Sequence, residues 1–395
     1  VEVWALNTNV SPNVTTYYAG VESTAAGGAL PATKWRKSTN GTTWAAETSL
    51  PTRIANTVHV RSATATWADQ RIMISHRNKL YYASDDYIQY PLAGWTAPPI
   101  KMWDGLIEVT VGYLPFNNVI GGGTASQCIT SFAPYSQQEF IVTSDDGAAS
   151  INSRVFLFNP TTGTIRQIGP AATTGTTEFT AGQVMCAVTY LGRIWIGTEA
   201  YGFGNGKVYF IRPDYDTSWT DDETLGANYN VHSLCVYNGE LYAGTRALTG
   251  APARIYKRAT TGVWTTSFDL GDVSSGYSLC TALTVFGTNL YAMVWRETGG
   301  DESEQLTIRK FDGTSWTTVW VLDQGGQESR SQHALGMGLV SPEGDALYFV
   351  IPESDTVPTT NADKDGIILR STNGTSWTEV DTHTNMRGSI GFIRR

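Results

Sequence analysis

Seven polar or charged side chains occupy one recurring position of this chain, and they are the residues best spaced to do chemistry together. They are Glu22, His76, Asp145, Glu199, Arg246, Arg296 and Glu353. Each directly follows a predicted second strand within a repeated unit of roughly 50 residues. Equivalent positions of a closed repeat meet around one axis, so we expect these side chains to ring the mouth of a central channel. Such a ring could bind a cation, a sugar or a peptide, or it could be a solvated rim.

Carboxylates in this ring would be the starting point for any catalysis. Glycosidases built on propellers use paired carboxylates at the channel, and Glu22, Glu199 and Glu353 could provide such a pair. The rest of the sequence contains no H-E-x-x-H motif, no nucleophile elbow and no phosphate-binding loop, and its five histidines are scattered. We therefore predict that the protein is not an enzyme.

One loop has the spacing of a calcium site. Asn361, Asp363 and Asp365 place oxygen ligands at positions one, three and five, and a glycine follows. Position twelve holds Thr372 where a calcium loop needs a bidentate Glu. A polar hairpin loop held by Asx turns explains the same residues, so we predict no cofactor, or at most a weakly bound Ca²⁺.

The fifth unit shows the elements that would position these residues. An apolar strand, SLCVY, is followed by the turn Asn238-Gly239, which favours a two-residue hairpin, and by a second strand, ELYAGT. A third strand, RIYKR, a short turn and a strand that begins near Trp264 complete the unit. Strand-only units of this length must pack against each other to bury their faces. The predicted fold is an all-β, seven-bladed β-propeller of four-stranded antiparallel blades, with residues 1–395 as one domain.

The two ends of the chain are predicted to pair and close the ring. Residues 388–393 resemble a first strand with nothing after it, and we expect them beside residues 16–21. Residues 1–6 are an alternative first strand. Five tryptophans at the fourth-strand position should be largely buried between blades. They are Trp44, Trp219, Trp264, Trp316 and Trp377.

The turns before these tryptophans carry a family resemblance. Residues 371–377, S-T-N-G-T-S-W, resemble the Asp-box repeat of bacterial neuraminidases, in a degenerate form with kelch-like spacing. They differ by one missing residue and by Asn373 in place of Asp. The resemblance implies a propeller and says nothing about catalysis, because the box lies far from the chemistry in that family. A sialidase would also need an Arg-Ile-Pro element, and Arg53-Ile54-Ala55 lacks the proline.

Composition narrows the possible partners. The chain of 395 residues has a formal net charge of −9, which argues against binding nucleic acid through phosphates. It has no apolar run long enough to insert into a membrane. The sequence is rich in Thr, Gly and Trp and contains D/N-G-T-S-W turns. In this pattern it resembles propeller modules of bacteriophage virion proteins and of secreted bacterial proteins.

That resemblance implies a non-catalytic structural or binding protein, extracellular or on a virion surface (phage tail, fibre or capsid decoration). Its loops would contact a protein partner in a larger assembly or a surface glycan. The alternative is an extracellular carbohydrate-active enzyme, similar to glycosidases or sialidases, or a lectin. Long connections at residues 23–33, 98–125, 296–305 and 353–365 are the expected contact face, although insertions in exposed loops also arise by neutral drift.

Overall fold

The fold consists of strands and turns. A computed structural model describes the following residues: 15–21, 35–49, 58–62, 65–68, 73–83, 88–90, 95–97, 99–114, 128–145, 153–169, 183–199, 206–225, 229–247, 252–271, 278–296, 305–323, 337–351, 366–383 and 386–394. Among these residues there is no helix long and apolar enough to cross a membrane. The prediction of an all-β protein is confirmed.

Thirty-two strands make up the described chain. In order they are β1 (Thr15–Val21), β2 (Trp35–Ser38), β3 (Ala45–Glu47), β4 (Val58–Ser62), β5 (Ala65–Ala68), β6 (Met73–His76), β7 (Lys79–Ala83), β8 (Ile88–Tyr90), β9 (Trp95–Ala97), β10 (Pro99–Trp103), β11 (Glu108–Tyr113), β12 (Cys128–Pro134), β13 (Phe140–Asp145), β14 (Arg154–Asn159), β15 (Thr164–Ile168), β16 (Gln183–Tyr190), β17 (Arg193–Glu199), β18 (Lys207–Ile211), β19 (Thr220–Thr224), β20 (Tyr229–Tyr237), β21 (Glu240–Ala247), β22 (Arg254–Arg258), β23 (Trp264–Asp269), β24 (Ser278–Phe286), β25 (Asn289–Arg296), β26 (Gln305–Phe311), β27 (Trp316–Asp323), β28 (Met337–Val340), β29 (Leu347–Ile351), β30 (Gly366–Ser371), β31 (Thr378–His383) and β32 (Met386–Arg394).

These strands form small antiparallel sheets arranged as in a β-propeller. Sheet I has the order β3-β2-β1-β32, sheet II β11-β10-β7-β6, sheet III β12-β13-β14-β15 and sheet IV β16-β17-β18-β19. Sheet V has eight strands, and sheet VI has the order β28-β29-β30-β31. Two hairpins, β4-β5 and β8-β9, stand apart from these sheets.

Sheet V departs from the predicted plan of separate four-stranded blades. It consists of a first half, β20 to β23, and a second half, β24 to β27, joined where β21 pairs with β24. The join is short, since only Arg246 and Ala247 are paired, with Leu279 and Ser278. Five separate four-stranded sheets are therefore present in the described chain, not the seven that the sequence predicts.

The two chain ends lie in the same sheet. Strand β32 is antiparallel to β1, with Thr16 opposite Ile393 and Tyr18 opposite Gly391. The predicted pairing of residues 388–393 with residues 16–21 is thus present. Sheet I also contacts sheet VI, because the Arg36 guanidinium donates from Nε to Oδ2 of Asp381 at 2.8 Å.

The sequence assignment of the second unit was wrong by one strand. The prediction treated residues 71–75 as a second strand, but β6 is the first strand of sheet II and is followed by a tight hairpin into β7. Arg77 and Asn78 adopt φ of 49° and 60°, which is the geometry of a two-residue hairpin turn. Residues 98–125, predicted to be a connection, therefore include the third and fourth strands of that sheet, β10 and β11.

Apolar side chains fill the spaces between adjacent sheets. The predicted tryptophan positions lie in these layers: Trp44 is buried at 8% exposure, while Trp219, Trp264, Trp316 and Trp377 are half-buried against neighbouring cores. The Trp377 ring of sheet VI, for example, lies 6.5 Å from the ring of Tyr291 in sheet V. The prediction is confirmed for Trp44 and holds in part for the other four.

The turns before the tryptophans bring neighbouring sheets into close contact. In the turn after β30, Asn373 Oδ1 accepts hydrogen bonds from the backbone N–H groups of Thr375 and Ser376 at 2.9 and 2.8 Å. Gly374 adopts a φ of +71°, and a Cβ there would lie 2.5 Å from Cζ of Tyr291 in the preceding sheet. A glycine is required at this position both for the backbone conformation and for the close approach.

Candidate functional site

The structure brings together two of the predicted ring residues, Glu199 and Arg246. Glu199 ends β17 in sheet IV, and Arg246 lies near the end of β21 in sheet V. Arg246 Nη1 is 3.7 Å from Glu199 Oε1, and the side chains are only 4% and 6% exposed. The pair is therefore an ion pair between two sheets that is removed almost entirely from solvent.

A threonine before each of these residues fixes the strand end. Thr198 Oγ1 accepts a hydrogen bond from the backbone N–H of Lys207 at 2.9 Å and donates to its carbonyl oxygen at 3.2 Å. Thr245 makes the same two bonds with Arg254, at 3.0 and 2.8 Å. Both second strands are thus tied to the start of the third strand by one hydroxyl group. This pins the backbone from which the ion pair projects.

A β-bulge recurs near the start of the first strand in four units. The residue left over in the pairing register is Thr130 in β12, Met185 in β16, His232 in β20 and Thr281 in β24. All four bulged side chains are at most 5% exposed. A bulge redirects a side chain and is often found beside active sites. In the first half of sheet V this device points an imidazole, His232, into the interior.

Close packing places the start of β20 against the end of β17. A Cβ at Gly197 would lie 2.8 Å from Cβ of Val231, so β20 can approach only because this residue is glycine. Side chains alternate along a strand, so Glu199 is on the same face as Gly197. Asn230 is 2% exposed and lies directly opposite Arg246 in the pairing of β20 with β21.

We refer to Glu199, Arg246, His232 and Asn230 as the inner cluster. All four side chains are buried, and they come from the corresponding ends of three strands in two sheets. A carboxylate can accept a proton, a guanidinium can bind an oxyanion, and an imidazole can transfer a proton near neutral pH. These are the groups needed for general acid–base chemistry on a carbonyl or acetal carbon.

The fold itself does not require charge at this position. In the first half of sheet V, Arg246 pairs with Asn230. At the equivalent register position of the second half, Trp295 pairs with Leu279. Trp295 is buried at 2% exposure, so an apolar side chain satisfies the same site. Burying a charged pair usually costs more than it stabilises. The charges of the inner cluster therefore point to a function other than stability.

His76 does not belong to the predicted ring. It ends β6, a first strand, and so lies at the opposite end of the sheets from Glu199. Its ring packs 5.5 Å from Phe140 and 6.2 Å from Tyr81, and burial followed by the charge of Arg77 lowers the pKa of the imidazole. The prediction that His76 joins the ring is wrong because the Arg77-Asn78 hairpin shifts the whole unit by one strand.

Arg296 is displaced from the ring by one residue. The pairing register puts Trp295 at the equivalent position, so Arg296 lies on the other face of β25. A Cβ at Gly271 would lie 3.5 Å from Nη2 of Arg296, which places the guanidinium beside the end of β23. Sequence alignment by strand ends alone could not detect this difference of one residue.

The structure describes only one of the three remaining ring residues predicted from the sequence, and it does not describe the predicted calcium loop. Asp145 is the last residue of β13 and matches Glu199 in the pairing register of the adjacent sheet. Glu22, Glu353 and the predicted calcium loop (Asn361, Asp363 and Asp365) lie outside the described residues. Within the described ranges, no group of three or more His, Cys, Asp or Glu side chains could hold a metal ion.

His232 and Asn230 were missed because the sequence assignment began the first strand at Ser233. Two polar residues at alternate positions, 230 and 232, could have signalled an extension of that strand with a polar face. The bulge itself has no sequence signature. It appears only when the pairing of β20 with β21 is known.

Comparison with known proteins shows which solved structures have a similar fold. No protein-family model and no curated sequence matches the chain. The periplasmic gluconolactonase of Pseudomonas aeruginosa superposes with a TM-score of 0.58 at 11% identity over 96% of this chain and 99% of that chain. A Bacteroides fragilis protein described as a 6-phosphogluconolactonase gives 0.54 at 11% identity, over 96% and 98%. A puromycin-hydrolyzing peptidase of Mycobacterium tuberculosis gives 0.54 at 10% identity, over 92% and 52%.

These likenesses support a β-propeller and correct two predictions. All three proteins are described as enzymes, and none as a virion component. The predictions of a non-catalytic virion or binding module, and of no enzymatic activity, are contradicted by this finding. The alternative of a carbohydrate-active enzyme agrees with it better. No match supports membership in the Asp-box family. Because identity is so low, the likeness shows the fold alone, and activity must be argued from the site.

Proposed function

We propose that this protein is a hydrolase of a sugar-derived substrate and that the inner cluster is its reaction centre. The observation that carries the proposal is the Glu199–Arg246 ion pair, 3.7 Å apart and almost fully buried. His232 is the bulged residue of β20, the strand that pairs with the Arg246 strand β21. A strand position that accepts Trp295 elsewhere in the fold does not need charge for stability. Burial of charge in a protein interior is more common at active sites than elsewhere.

The chemistry of the cluster favours cleavage of a lactone, the internal ester of a sugar acid. In the proposed reaction Glu199 accepts a proton from water, and the water oxygen bonds to the lactone carbonyl carbon. Arg246 stabilises the negative charge that develops on the carbonyl oxygen. The bond from that carbon to the ring oxygen then breaks, and His232 donates a proton to the departing oxygen. The product is the open-chain hydroxy acid.

Glycoside hydrolysis is the second candidate. Asp145 and Glu199 occupy the same register position in adjacent sheets, and glycosidases need two carboxylates flanking the bond they cleave. The described cluster contains one carboxylate with a guanidinium and an imidazole, a set that suits acyl transfer better. If the protein binds sugars but cleaves none of the substrates, it is a lectin.

The shared fold also supports a lactone substrate. Two of the solved structures reported above are described as lactonases of sugar acids, and they match this chain over nearly its whole length. One of them is periplasmic. We accordingly place this protein outside the cytoplasm, with a glycan-derived small molecule as its partner, and keep the expectations of no nucleic acid and no membrane insertion. No support exists for a virion surface.

We further infer that sheet V is two fused blades, which makes a closed ring of seven. Each half of sheet V repeats the four-strand order of the separate sheets. Contacts between sheets run in sequence around the chain: the Trp35 and Tyr82 rings of sheets I and II lie 4.9 Å apart, and the Arg36–Asp381 ion pair links sheet I to sheet VI. A ring of this kind would bring the inner cluster to the mouth of the channel.

The test measures acid release from aldonic acid lactones at constant pH, beside a panel of aryl glycosides. We expect lactone hydrolysis above the spontaneous rate, and a fall in kcat/KM of about 100-fold or more in Glu199→Gln, because a general base is lost. Glu240→Gln is the matched control. Glu240 begins β21, the strand that carries Arg246, and pairs with Lys257 at 3.3 Å in a partly exposed position.

Three results would decide between the candidates. Loss of lactone hydrolysis in Glu199→Gln with full activity in Glu240→Gln supports the proposal. Cleavage of aryl glycosides alone, abolished by Asp145→Asn and by Glu199→Gln, supports a glycosidase. Equal activity of Glu199→Gln and wild-type protein on every substrate contradicts a catalytic role for the inner cluster.

A further inference from the structure

Asparagine followed by glycine occurs at four places in the chain, and three of these pairs lie in described turns. The backbone nitrogen of the glycine is close to the carboxamide carbon of the preceding asparagine, and no side chain on the glycine hinders a reaction between them. Local structure decides whether that reaction proceeds. The three described pairs are Asn40-Gly41, Asn238-Gly239 and Asn373-Gly374; in the fourth, Asn205 lies outside the described residues.

The turn after β30 holds both reacting groups in place. The buried backbone N–H of Gly374 donates to Ser371 Oγ at 2.8 Å. Asn373 Oδ1 accepts hydrogen bonds from the N–H groups of Thr375 and Ser376 at 2.9 and 2.8 Å. The nitrogen is thus occupied as a donor, and the carboxamide is turned toward the residues that follow. Both interactions must break before the nitrogen can reach the carboxamide carbon.

The turn after β2 repeats this arrangement. The N–H of Gly41, which is also buried, donates to Ser38 Oγ at 2.8 Å. Asn40 Oδ1 accepts from the N–H groups of Thr42 and Thr43 at 2.9 and 2.8 Å. The same four interactions therefore protect the asparagine in two different sheets.

The turn between β20 and β21 leaves both groups open. Asn238 and Gly239 are exposed, and nothing lies within 4 Å of a Cβ built at Gly239. Among the described residues, neither the Asn238 carboxamide nor the Gly239 N–H has a hydrogen-bond partner. Asn238 also has a φ of 48°, in the left-handed region that is unfavourable for a residue with a side chain. This turn has none of the interactions that restrain the other two.

We propose that Asn238 is a site of spontaneous chemical modification, at which the carboxamide becomes a carboxylate through a cyclic imide, and that Asn40 and Asn373 are protected from it. First the Gly239 nitrogen bonds to Cγ of Asn238, the Cγ–Nδ2 bond breaks, and ammonia leaves with the proton of the former N–H. Water then bonds to one imide carbonyl carbon, the bond from that carbon to the nitrogen breaks, and the nitrogen regains a proton. Opening at Cγ gives aspartate, and opening at the backbone carbonyl gives isoaspartate. The net change consumes one water and releases one ammonia.

The isoaspartate product lengthens the backbone of this turn by one methylene. The Gly239 carbonyl oxygen accepts a hydrogen bond from the Tyr190 hydroxyl of sheet IV at 2.9 Å, so the modified turn adjoins a contact between sheets IV and V. These are the sheets that the Glu199–Arg246 pair also connects. The modified turn is at the other end of β20 and β21 from that pair, and the proposal does not depend on the proposed function.

The experiment incubates the full chain at mildly alkaline pH, where the backbone nitrogen loses its proton more readily. Peptides containing Asn40, Asn238 and Asn373 are followed by mass spectrometry after proteolysis, and enzymatic methylation identifies isoaspartate. We expect Asn238 to be modified at least about tenfold faster than the other two in native protein, because each of those must first lose hydrogen bonds. In concentrated urea all three should react at similar rates, since glycine follows each and no turn restrains them.

Two variants separate the effect of the turn from that of the sequence. Ser371→Ala removes the acceptor of the Gly374 N–H and should speed modification of Asn373 while leaving the rate at Asn238 unchanged. Asn238→Gln is the matched control, because glutamine would have to close a larger ring, and its ammonia release from native protein should fall below that of the wild type. Equal rates at Asn238 and Asn373 in native wild-type protein, or an unchanged rate at Asn373 in Ser371→Ala, would overturn the proposal.

Discussion

Replacing Gly374 with alanine tests how neighbouring sheets pack. Gly374 lies in the turn after β30, has a φ of +71°, and faces Tyr291 of the preceding sheet. An alanine Cβ would overlap the Tyr291 hydroxyl and would lie 2.5 Å from Cζ and 3.0 Å from Cε1. Real Cβ atoms essentially never approach another atom to less than 3.0 Å, as this Cβ would approach the hydroxyl and Cζ, so the turn or the tyrosine must move.

The cost has two parts that can be separated. A residue with a side chain in the left-handed region costs about 1–2 kcal/mol, and overpacking a close contact costs about 1–3 kcal/mol more. Gly374→Ala should thus lower the free energy of unfolding by about 2–5 kcal/mol. Gly344 offers a matched control, because it has a φ of +74° and nothing within 4 Å of a Cβ. Gly344→Ala should lower the free energy of unfolding only by the conformational part, about 1–2 kcal/mol.

The assay is equilibrium unfolding in urea, read by tryptophan fluorescence, for wild type and both variants. Tyr291→Phe in the Gly374→Ala background should restore part of the loss, since it removes the hydroxyl but leaves the ring. If Gly374→Ala and Gly344→Ala lose the same stability, the turn does not press against Tyr291 and the described packing between these sheets is wrong.

Three further predictions concern the same framework. Trp44→Ala should cost about 3–5 kcal/mol of unfolding free energy, because Trp44 is buried at 8% exposure, and a loss under 1 kcal/mol in urea unfolding would count against that burial. Removing residues 388–395 should lower the melting temperature strongly, because β1 then loses its partner β32; melting within a few degrees of the full chain would contradict this. The backbone N–H groups of Ser315 and Thr314 lower the pKa of Asp312, so its contribution to stability is present above the ordinary carboxyl pKa and is lost as the pH falls through the lowered value. Asp312→Asn should therefore flatten the fall in melting temperature on the acid side, and unchanged pH dependence would refute the assignment.

Local sequence signals predicted the repeating elements well. Asn238 and Gly239 adopt φ of 48° and 77°, as the two-residue hairpin prediction requires. The same turn geometry at Arg77-Asn78 went unrecognised, because neither residue is glycine and the usual signature is Asn-Gly. One misread turn moved His76 to the wrong end of the sheets and turned two strands into a supposed loop.

The sequence predicted a residue of the candidate site correctly only where the end of a strand was enough to locate that residue. Glu199 and Arg246 were found because both follow regular strands with glycine two residues earlier, at 197 and 244. His232 was missed because it is the bulged residue in the pairing of β20 with β21. Arg296 was misplaced by one residue because strand ends were aligned and the pairing register, which puts Trp295 at this position, was not known. A bulge reverses which side chains face inward, and nothing in the composition of these strands marks its position.

The most direct test of the central claim is a crystal structure with a sugar lactam, in which N–H replaces the ring oxygen of a lactone and resists hydrolysis. If the inner cluster is the reaction centre, the lactam carbonyl oxygen will lie within hydrogen-bond distance of the Arg246 guanidinium, with its carbon facing the Glu199 carboxylate. A lactam bound elsewhere on the protein, with the Glu199–Arg246 pair still closed to it, would contradict the claim.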